Sequence, residues 1–435
     1  MMVGNLLKLK KKKTYITAIS ILILVIYIYV WKIDFNNKKV SDEENRVISK
    51  TVSDGFGVNI HFVGTPIDID LIKDAGFTVV RQDITWGNIE KEKGEFDFVT
   101  TGYDELTEGL IKNGIRPYYI LDYSNRLYEK NKSITTKQGQ DAFAKYVEEV
   151  TSRYKNNGII WEIWNEPNGV SWEPKPNFNE YSSLVKRVST IIRKNDPSGI
   201  VVAPALSRLD KESMRWLEEI FKQGILEYID AVSVHPYRAQ NPETVLRDYN
   251  KLKKMIHNYT EKDIPIISGE WGYSMTKGWN GLELSEDDQA KYLVRMFLVN
   301  IEASIPISIW YDWKNTENDP SNWLHNFGIR QNDVTVSKKA YVAMNNLSYT
   351  LLGFDKHQRI KTESPEDYVV QFTNKNKESI IVFWTVGNEH EINLSLKHKE
   401  AKIITMYGEQ AGTIKQGTLL TLEISDRPKY IIIKK

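Results

Sequence analysis

The chain has 435 residues, enough for two or three domains of ordinary size or for one α/β barrel with an addition. It contains no cysteine, which excludes a disulfide framework, a thiolate zinc site, an iron–sulfur cluster and a cysteine nucleophile. The formal net charge is +1, and subtracting Lys8, Lys10, Lys11, Lys12 and Lys13 leaves −4 on the rest, a mildly acidic body that argues against a nucleic-acid partner.

In chain order, the lysine cluster leads into an uncharged apolar stretch at 14–31 (TYITAISILILVIYIYVW). Its length suffices to cross a bilayer as a single N-terminal transmembrane helix. Tyr27, Tyr29 and Trp31 stand at its far end, as an interfacial aromatic belt would. A cleaved signal peptide shares the basic start and apolar middle. However, Lys32-Ile33-Asp34-Phe35 follow in place of a small-residue cleavage site. A buried core helix fits poorly beside so many terminal lysines. The expectation is an uncleaved signal anchor, with a cytoplasmic basic stub at 1–13 and the rest facing outward; secretion after cleavage is the alternative. Residues 32–54, rich in charged and polar side chains, read as a tether.

From 55 to 354, short apolar runs alternate with longer amphipathic segments. The runs are GVNIHF, TVVRQDITW, IRPYYILDY, IIWEIWNEP, IVVAPALS, IDAVSVHPY, IPIISGEW and ISIWYDW. Several are almost continuously hydrophobic, which suits parallel strands buried on both faces. Helices are expected over 141–154, 180–195 and 285–302, the last opening on Ser285 and three acids. Eight such alternations predict a (β/α)8 TIM barrel. At 355–435 six strand-like runs follow without intervening helices and predict a small antiparallel β-sandwich.

In a barrel of this kind, functional side chains sit where strands end. Here the runs end in His61, in Arg81 with Asp83 and Trp86, in Asp122, in Asn165 with Glu166, in Ser207, in His235 with Tyr237, in Glu270 with Trp271, and in Trp310 with Asp312. An isolated glutamate is most often a solvated loop residue or a helix cap. Glu166 and Glu270 instead end the fourth and seventh runs, which face each other across a barrel mouth. Two converging carboxylates are the equipment for cleaving a glycosidic bond: one delivers a proton to the leaving oxygen, the other attacks the anomeric carbon. His61 and His235 have a bland reading as hydrogen-bonded core residues, Arg81 as an ion-pair partner, and the tryptophans as packing. With no cysteine and few histidines, neither a metal site nor a cofactor is expected. Glu162 shares strand parity with Glu166 but lies deeper, and reads as a structural ion-pair partner. Trp310 and Trp86, then Trp172, are the expected sugar platforms, and Trp384 is expected in the sandwich core.

The segment WNEPNG resembles the acid/base motif of the retaining glycoside hydrolase superfamily whose catalytic glutamates end strands four and seven. SGEWG resembles its nucleophile motif, and the likeness extends through RQDITWGNIEKEKGEFDF and HPY. Within that superfamily the chain is most similar to cellulase-like family 5 and xylosidase-like family 39, whose trailing β-sandwich it also resembles. The resemblance implies Glu166 as general acid/base and Glu270 as nucleophile. It implies Asn165 as the partner of the sugar 2-hydroxyl, and Arg81 as the charge that keeps Glu270 ionised. His235 and Tyr237 would position nucleophile and sugar, with His61, Trp86, Asp122, Trp172 and Trp310 completing the substrate site.

The partner so implied is an oligosaccharide or polysaccharide. With the anchor, this suggests a hydrolase that trims a polysaccharide during export, beside the export machinery. A transglycosylase would use the same residues, and a non-catalytic carbohydrate-binding scaffold would be expected to have lost one glutamate.

Overall fold

A computed structural model describes residues 47, 50–61, 65–278, 280–317, 319–398 and 400–433. The expected stub and anchor at 1–31, most of the tether, and Trp279 lie outside the described residues. Among the described residues no helix is long and apolar enough to cross a membrane.

Eight parallel strands close into a barrel: β1 (Phe56–Asn59), β2 (Val79–Thr85), β3 (Arg116–Asp122), β4 (Ile160–Ile163), β5 (Ile200–Ser207), β6 (Ala231–His235), β7 (Ile266–Trp271) and β8 (Ser308–Trp310). β8 returns to β1 in the register Val58↔Trp310. The strands run as near-continuous apolar segments because both faces are covered, by the lumen inside and by helices outside. Those helices are α1 (Pro66–Asp74), α2 (Tyr103–Lys112), α3 (Lys137–Arg153), α4 (Phe178–Asn195), α5 (Lys211–Lys222), α6 (Val245–His257), α7 (Glu286–Glu302) and α8 (Lys339–Thr350).

Their starts follow from local chemistry. Ser285 caps α7: its hydroxyl accepts from the Asp288 N–H at 3.1 Å, and the Asp288 carboxylate accepts from the Ser285 N–H at 3.3 Å. This capping box satisfies two otherwise orphaned donors. Asp210 accepts from the Glu212 and Ser213 N–H groups at the start of α5. Gly76 (φ +83°) turns the chain after α1, and a Cβ there would stand 2.0 Å from Ser348 Oγ.

The second region is antiparallel. β9 (Lys356–Arg359), β10 (Asp367–Thr373), β11 (Ser379–Thr385), β12 (His390–His398), β13 (Ala401–Thr405), β14 (Gln410–Ile414), β15 (Gly417–Ile424) and β16 (Lys429–Ile433) form two sheets. One is six-stranded, in the order β14-β13-β16-β11-β10-β9, and the other pairs β12 with β15. Val369, Ile381 and Phe383 meet Ile392, Leu394, Leu420 and Leu422 between them. The alternate residues of β11, Ile380, Val382 and Trp384, pack instead into the barrel's core. β11 is therefore buried on both faces, which is why it reads as an unbroken apolar run. Trp384 is fully buried, as expected, but on the barrel side rather than inside the sandwich.

Several contacts join the two regions, among them Lys291 with Asp426, Glu302 with Arg359 and Asp287 with Tyr407, and a further one is buried. Glu243, in the loop after β6, accepts from Arg295 of α7 at 2.7 and 2.6 Å and from the Trp384 indole at 2.7 Å. All three side chains are buried.

Candidate active site

Strand register decides what reaches the lumen. Asn59, Arg81 and Tyr118 are lateral neighbours on β1, β2 and β3. Parallel partners share a face, so all three point inward. Arg81 is 1% exposed and acts as a hub. Its Nε donates to Glu162 Oε2 at 2.8 Å, and its Nη1 donates to Asn59 Oδ1 at 2.9 Å and to Glu270 Oε2 at 2.7 Å. Its Nη2 donates to Asn165 Oδ1 at 2.8 Å. Tyr118 donates to the other Glu162 oxygen at 2.8 Å. Glu162 is thus the buried counter-ion the sequence suggested.

The carboxylate of Glu270 is held at both oxygens: Arg81 takes one and the Tyr237 hydroxyl donates to the other at 2.9 Å. Burial pushes this carboxyl up. His235, Arg81, His61 and the Tyr237 hydroxyl outweigh it and hold the group below the usual carboxylate range. Tyr237 itself is pushed well up, by burial first and then by the Glu270 charge, so it remains a donor.

Glu166 adopts φ +50° and Trp164 φ +69°, both left-handed for residues with side chains. Such backbone costs about 1–3 kcal/mol per residue and persists only where the surroundings enforce it. Here the Glu166 N–H donates to the Ala205 carbonyl at 3.2 Å, and the buried Trp164 indole donates to the Ser171 carbonyl at 2.9 Å. The turn aims Glu166 across the mouth. Its Oε1 lies 2.9 Å from His235 Nδ1. His235 Nε2 stands 3.4 Å from Arg81 Nη2, which can only donate. The ring thus bridges the two sides of the site, touching Glu166 through Nδ1 and Arg81 through Nε2. The resemblance assigns His235 to the nucleophile; its direct bond is to Glu166. One carboxylate oxygen each of Glu166 and Glu270 and one ring nitrogen of His235 all lie within 4.8 Å of one another.

Asn165 is oriented by the same network. Its Oδ1 accepts from Arg81, so its Nδ2 donates, with one proton on the Tyr123 hydroxyl at 3.0 Å. His61 is exposed at the rim, 3.1 Å from Asn59 Nδ2, with its ring 5.0 Å from Tyr311. Glu166, Glu270, Asn165, Arg81, His235, Tyr237 and His61 are thus brought together.

Four other expected ligands are not available. Trp86, Trp310 and Trp172 are 0%, 0% and 1% exposed and pack outside the lumen. Trp86 stacks on Tyr128 at 5.3 Å and its indole donates to Glu90. Trp310 pairs with Val58, whose side chain belongs to the outer core, and its indole faces the Phe327 carbonyl at 3.3 Å. Trp172 packs on Trp164 and bonds Glu180 at 3.1 Å. Asp122 is fully buried.

The aromatic that does line the site is Tyr311, one residue past Trp310. It is half-buried and edge-on to His61, Tyr237 and Phe327. Gly272 lets its backbone come close, since a Cβ there would stand 1.8 Å from the Tyr311 carbonyl oxygen. Asn59, Tyr123 and Tyr311 were not singled out in the sequence. The signal that finds Tyr311 is parity: Trp310 lies beside Val58, so its successor shares the inward face of Asn59.

A closed (β/α)8 barrel with two strand-end carboxylates facing each other defines a glycosidase-type architecture. The chain matches the model of the cellulase family, glycosyl hydrolase family 5, over residues 42–317, and it belongs to that family. It is 24% identical over 286 residues to an endoglucanase of Clostridium saccharobutylicum, covering 62% of this chain and 56% of the relative. A stretch of 109 residues is 32% identical to a 6-phospho-beta-glucosidase of Dickeya chrysanthemi, covering 24% of this chain and 23% of that protein. The chain thus spans from about a quarter to just over half the length of these curated relatives. A family 39 glycoside hydrolase from the gut symbiont Bacteroides cellulosilyticus WH2 has the same fold. Its TM-score is 0.75 at 22% identity, over 90% of this chain and 82% of that one.

Proposed function

We propose that this protein is a retaining glycoside hydrolase that cleaves O-glycosidic bonds of a polysaccharide or oligosaccharide by double displacement. The observation that carries the reading is the approach of Glu166 and Glu270, one carboxylate oxygen of each lying within 4.8 Å of the other, which is on the short side of the two ranges that follow. Carboxyl groups about 5–5.5 Å apart suit a direct attack on the anomeric carbon, whereas inversion needs about 6.5–9.5 Å to admit a water.

In the first step a Glu270 oxygen forms a bond to the anomeric carbon. The bond to the leaving oxygen breaks, and that oxygen takes the proton of Glu166. In the second step Glu166 removes a proton from water, whose oxygen attacks the same carbon and releases Glu270. The roles divide by environment. Glu270 is held ionised by Arg81 and Tyr237, while Glu166 bonds the imidazole of His235 and, among the described residues, pairs with no Lys or Arg. Asn165 offers an N–H toward the sugar, and the Tyr311 ring offers an apolar face.

The basic, apolar and aromatic order of residues 8–31 supports a membrane-anchored enzyme with its barrel outside the cytoplasm. There it would act on a polysaccharide at the cell surface or during export. The test is Glu270→Ala and Glu166→Gln, each assayed on a panel of glycans. Loss of hydrolysis in both is expected; unchanged hydrolysis in either overturns the assignment.

A further inference from the structure

The hydrogen bond from Tyr237 to Glu270 joins the ends of two strands, and the residue after Tyr237 fastens both of them. Arg238 is buried and lies in the loop 236–244 between β6 and α6. Its Nε donates to the Pro236 carbonyl at 3.0 Å, and its Nη1 donates to the Thr244 hydroxyl at 3.0 Å. Both ends of the loop are thereby tied to one guanidinium. Nη1 and Nη2 also donate to Asp248 Oδ2, in the first turn of α6, each at 3.3 Å. The Thr244 hydroxyl in turn donates to the Asn241 carbonyl at 2.8 Å, within the same loop.

The Arg238 guanidinium also lies 5.4 Å from the centre of the Trp271 ring. Trp271 is fully buried and follows Glu270 in the chain. A guanidinium over an indole face is attractive, and more so where water is excluded. A second tie runs beside the first: the buried Tyr273 donates its hydroxyl to the Gln240 carbonyl at 3.0 Å. The chain neighbours of both bonded residues, Tyr237 and Glu270, are thus held to Arg238.

Among the described residues the hydrogen-bond partners of Arg238 are Pro236, Thr244 and Asp248, not the catalytic glutamates. A planar fork that satisfies three acceptors at once sets their separation more narrowly than a flexible ammonium would. Precision matters here, because misplacing a catalytic group by about 1 Å can cost about 10²-fold in rate.

We propose that Arg238 is a positioning residue that sets the loop 236–244 against the end of β7, so that the Tyr237 hydroxyl meets Glu270. The inference rests on the glycosidase reading and adds to it a residue that acts through Tyr237 without touching the sugar.

A double-variant cycle tests it, on the glycan that the wild type hydrolyses fastest. Tyr237→Phe removes one donor to a charged group and should lower kcat by about 10–100-fold. Arg238→Met keeps most of the side-chain bulk without its donors. It should lower kcat by about tenfold with KM within about threefold of wild type. Both variants should move the acidic limb of kcat/KM to higher pH, because Glu270 loses a donor while His235, Arg81 and His61 still face it. Adding Arg238→Met to Tyr237→Phe should cost less than about a further twofold, since the bond that Arg238 positions is already gone. Arg238→Lys keeps the charge without the fork, and carries the same comparison if Arg238→Met does not fold. Its loss should be about threefold and equally non-additive. Losses that multiply in the double variant, an unmoved acidic limb, or an unchanged kcat in the single Arg238 variants overturn the role. Hydrolysis that survives Glu270→Ala overturns the glycosidase reading instead, and a wild type that hydrolyses no glycan of the panel overturns both.

Discussion

Arg81 Nη1 lies 2.7 Å from Glu270 Oε2, and the same guanidinium lies 2.7 Å from the buried Glu162. One cation therefore serves two carboxylates that belong to different strands and different tasks. Glu162 fixes Arg81 from below, and Arg81 fixes Glu270 from the side.

This arrangement makes Arg81 a determinant of the acidic limb of activity. The native carboxyl of Glu270 is held low, so the ionised form is lost only as pH falls through that lowered value. Arg81→Lys keeps a charge but cannot reach four acceptors at once. The acidic limb of kcat/KM is expected to move to higher pH in this variant. Arg81→Met strands the buried Glu162 and the partly buried Glu270 and should destabilise the fold by about 3–5 kcal/mol, measured by denaturant unfolding. An unmoved acidic limb in Arg81→Lys would contradict the pairing.

Glu166 should reveal itself through the leaving group. General acid assistance contributes about 10²–10⁴-fold. Glu166→Gln is expected to lose that much on glycosides whose leaving oxygen needs a proton. It should lose far less on aryl glycosides with acidic phenols. Steady-state kinetics across a leaving-group series checks this, and an equal loss throughout would count against the acid role.

Asp312 offers a stability test. It is buried beside His61 and Glu270, and its carboxyl is pushed up to about 6, by burial foremost and by the charge of Glu270. An acid raised on folding binds its proton longer in the native state. Its presence therefore costs stability progressively as pH rises from about 4 to 6, by about 3 kcal/mol at the upper limit. Asp312→Asn removes that dependence. Its Tm relative to wild type should be higher at pH 7 than at pH 4, and a pH-independent difference would contradict the burial of a titrating group.

The tryptophans separate packing from binding. Trp86→Ala should cost about 3–5 kcal/mol of stability through the cavity it leaves. Trp86→Phe should leave KM within about twofold of wild type. Tyr311→Ala should instead raise KM by about tenfold, because the stacked face is worth about 1–2 kcal/mol. Kinetics on the folded variants distinguish the two residues.

Much of this is legible in the sequence alone. The barrel followed from eight apolar runs, because strands buried on both faces must be apolar throughout. The two glutamates followed from their place at strand ends, and the α7 start from Ser285 and its acids. What failed was the choice among adjacent aromatics. Trp310 and Tyr311 are neighbours in sequence but face opposite sides of the sheet, and only the register with Val58 and Asn59 tells which is inward. Trp86 failed for the same reason, since it follows Thr85, the residue in register with Asp122. Strands β9 and β14 were missed because their polar, half-exposed residues carry no apolar run. The Glu243–Arg295–Trp384 contact joins residues from three elements distant in sequence, so no local pattern signals it.

The most direct test of the central claim is mass-spectrometric peptide mapping after the protein is incubated with activated 2-deoxy-2-fluoro glycosides. These form the glycosyl–enzyme bond but hydrolyse it slowly. The account expects a single glycosyl adduct on the peptide containing Glu270, on the side chain of that residue. An adduct on Glu166 or another residue, or full turnover without any adduct, would contradict it.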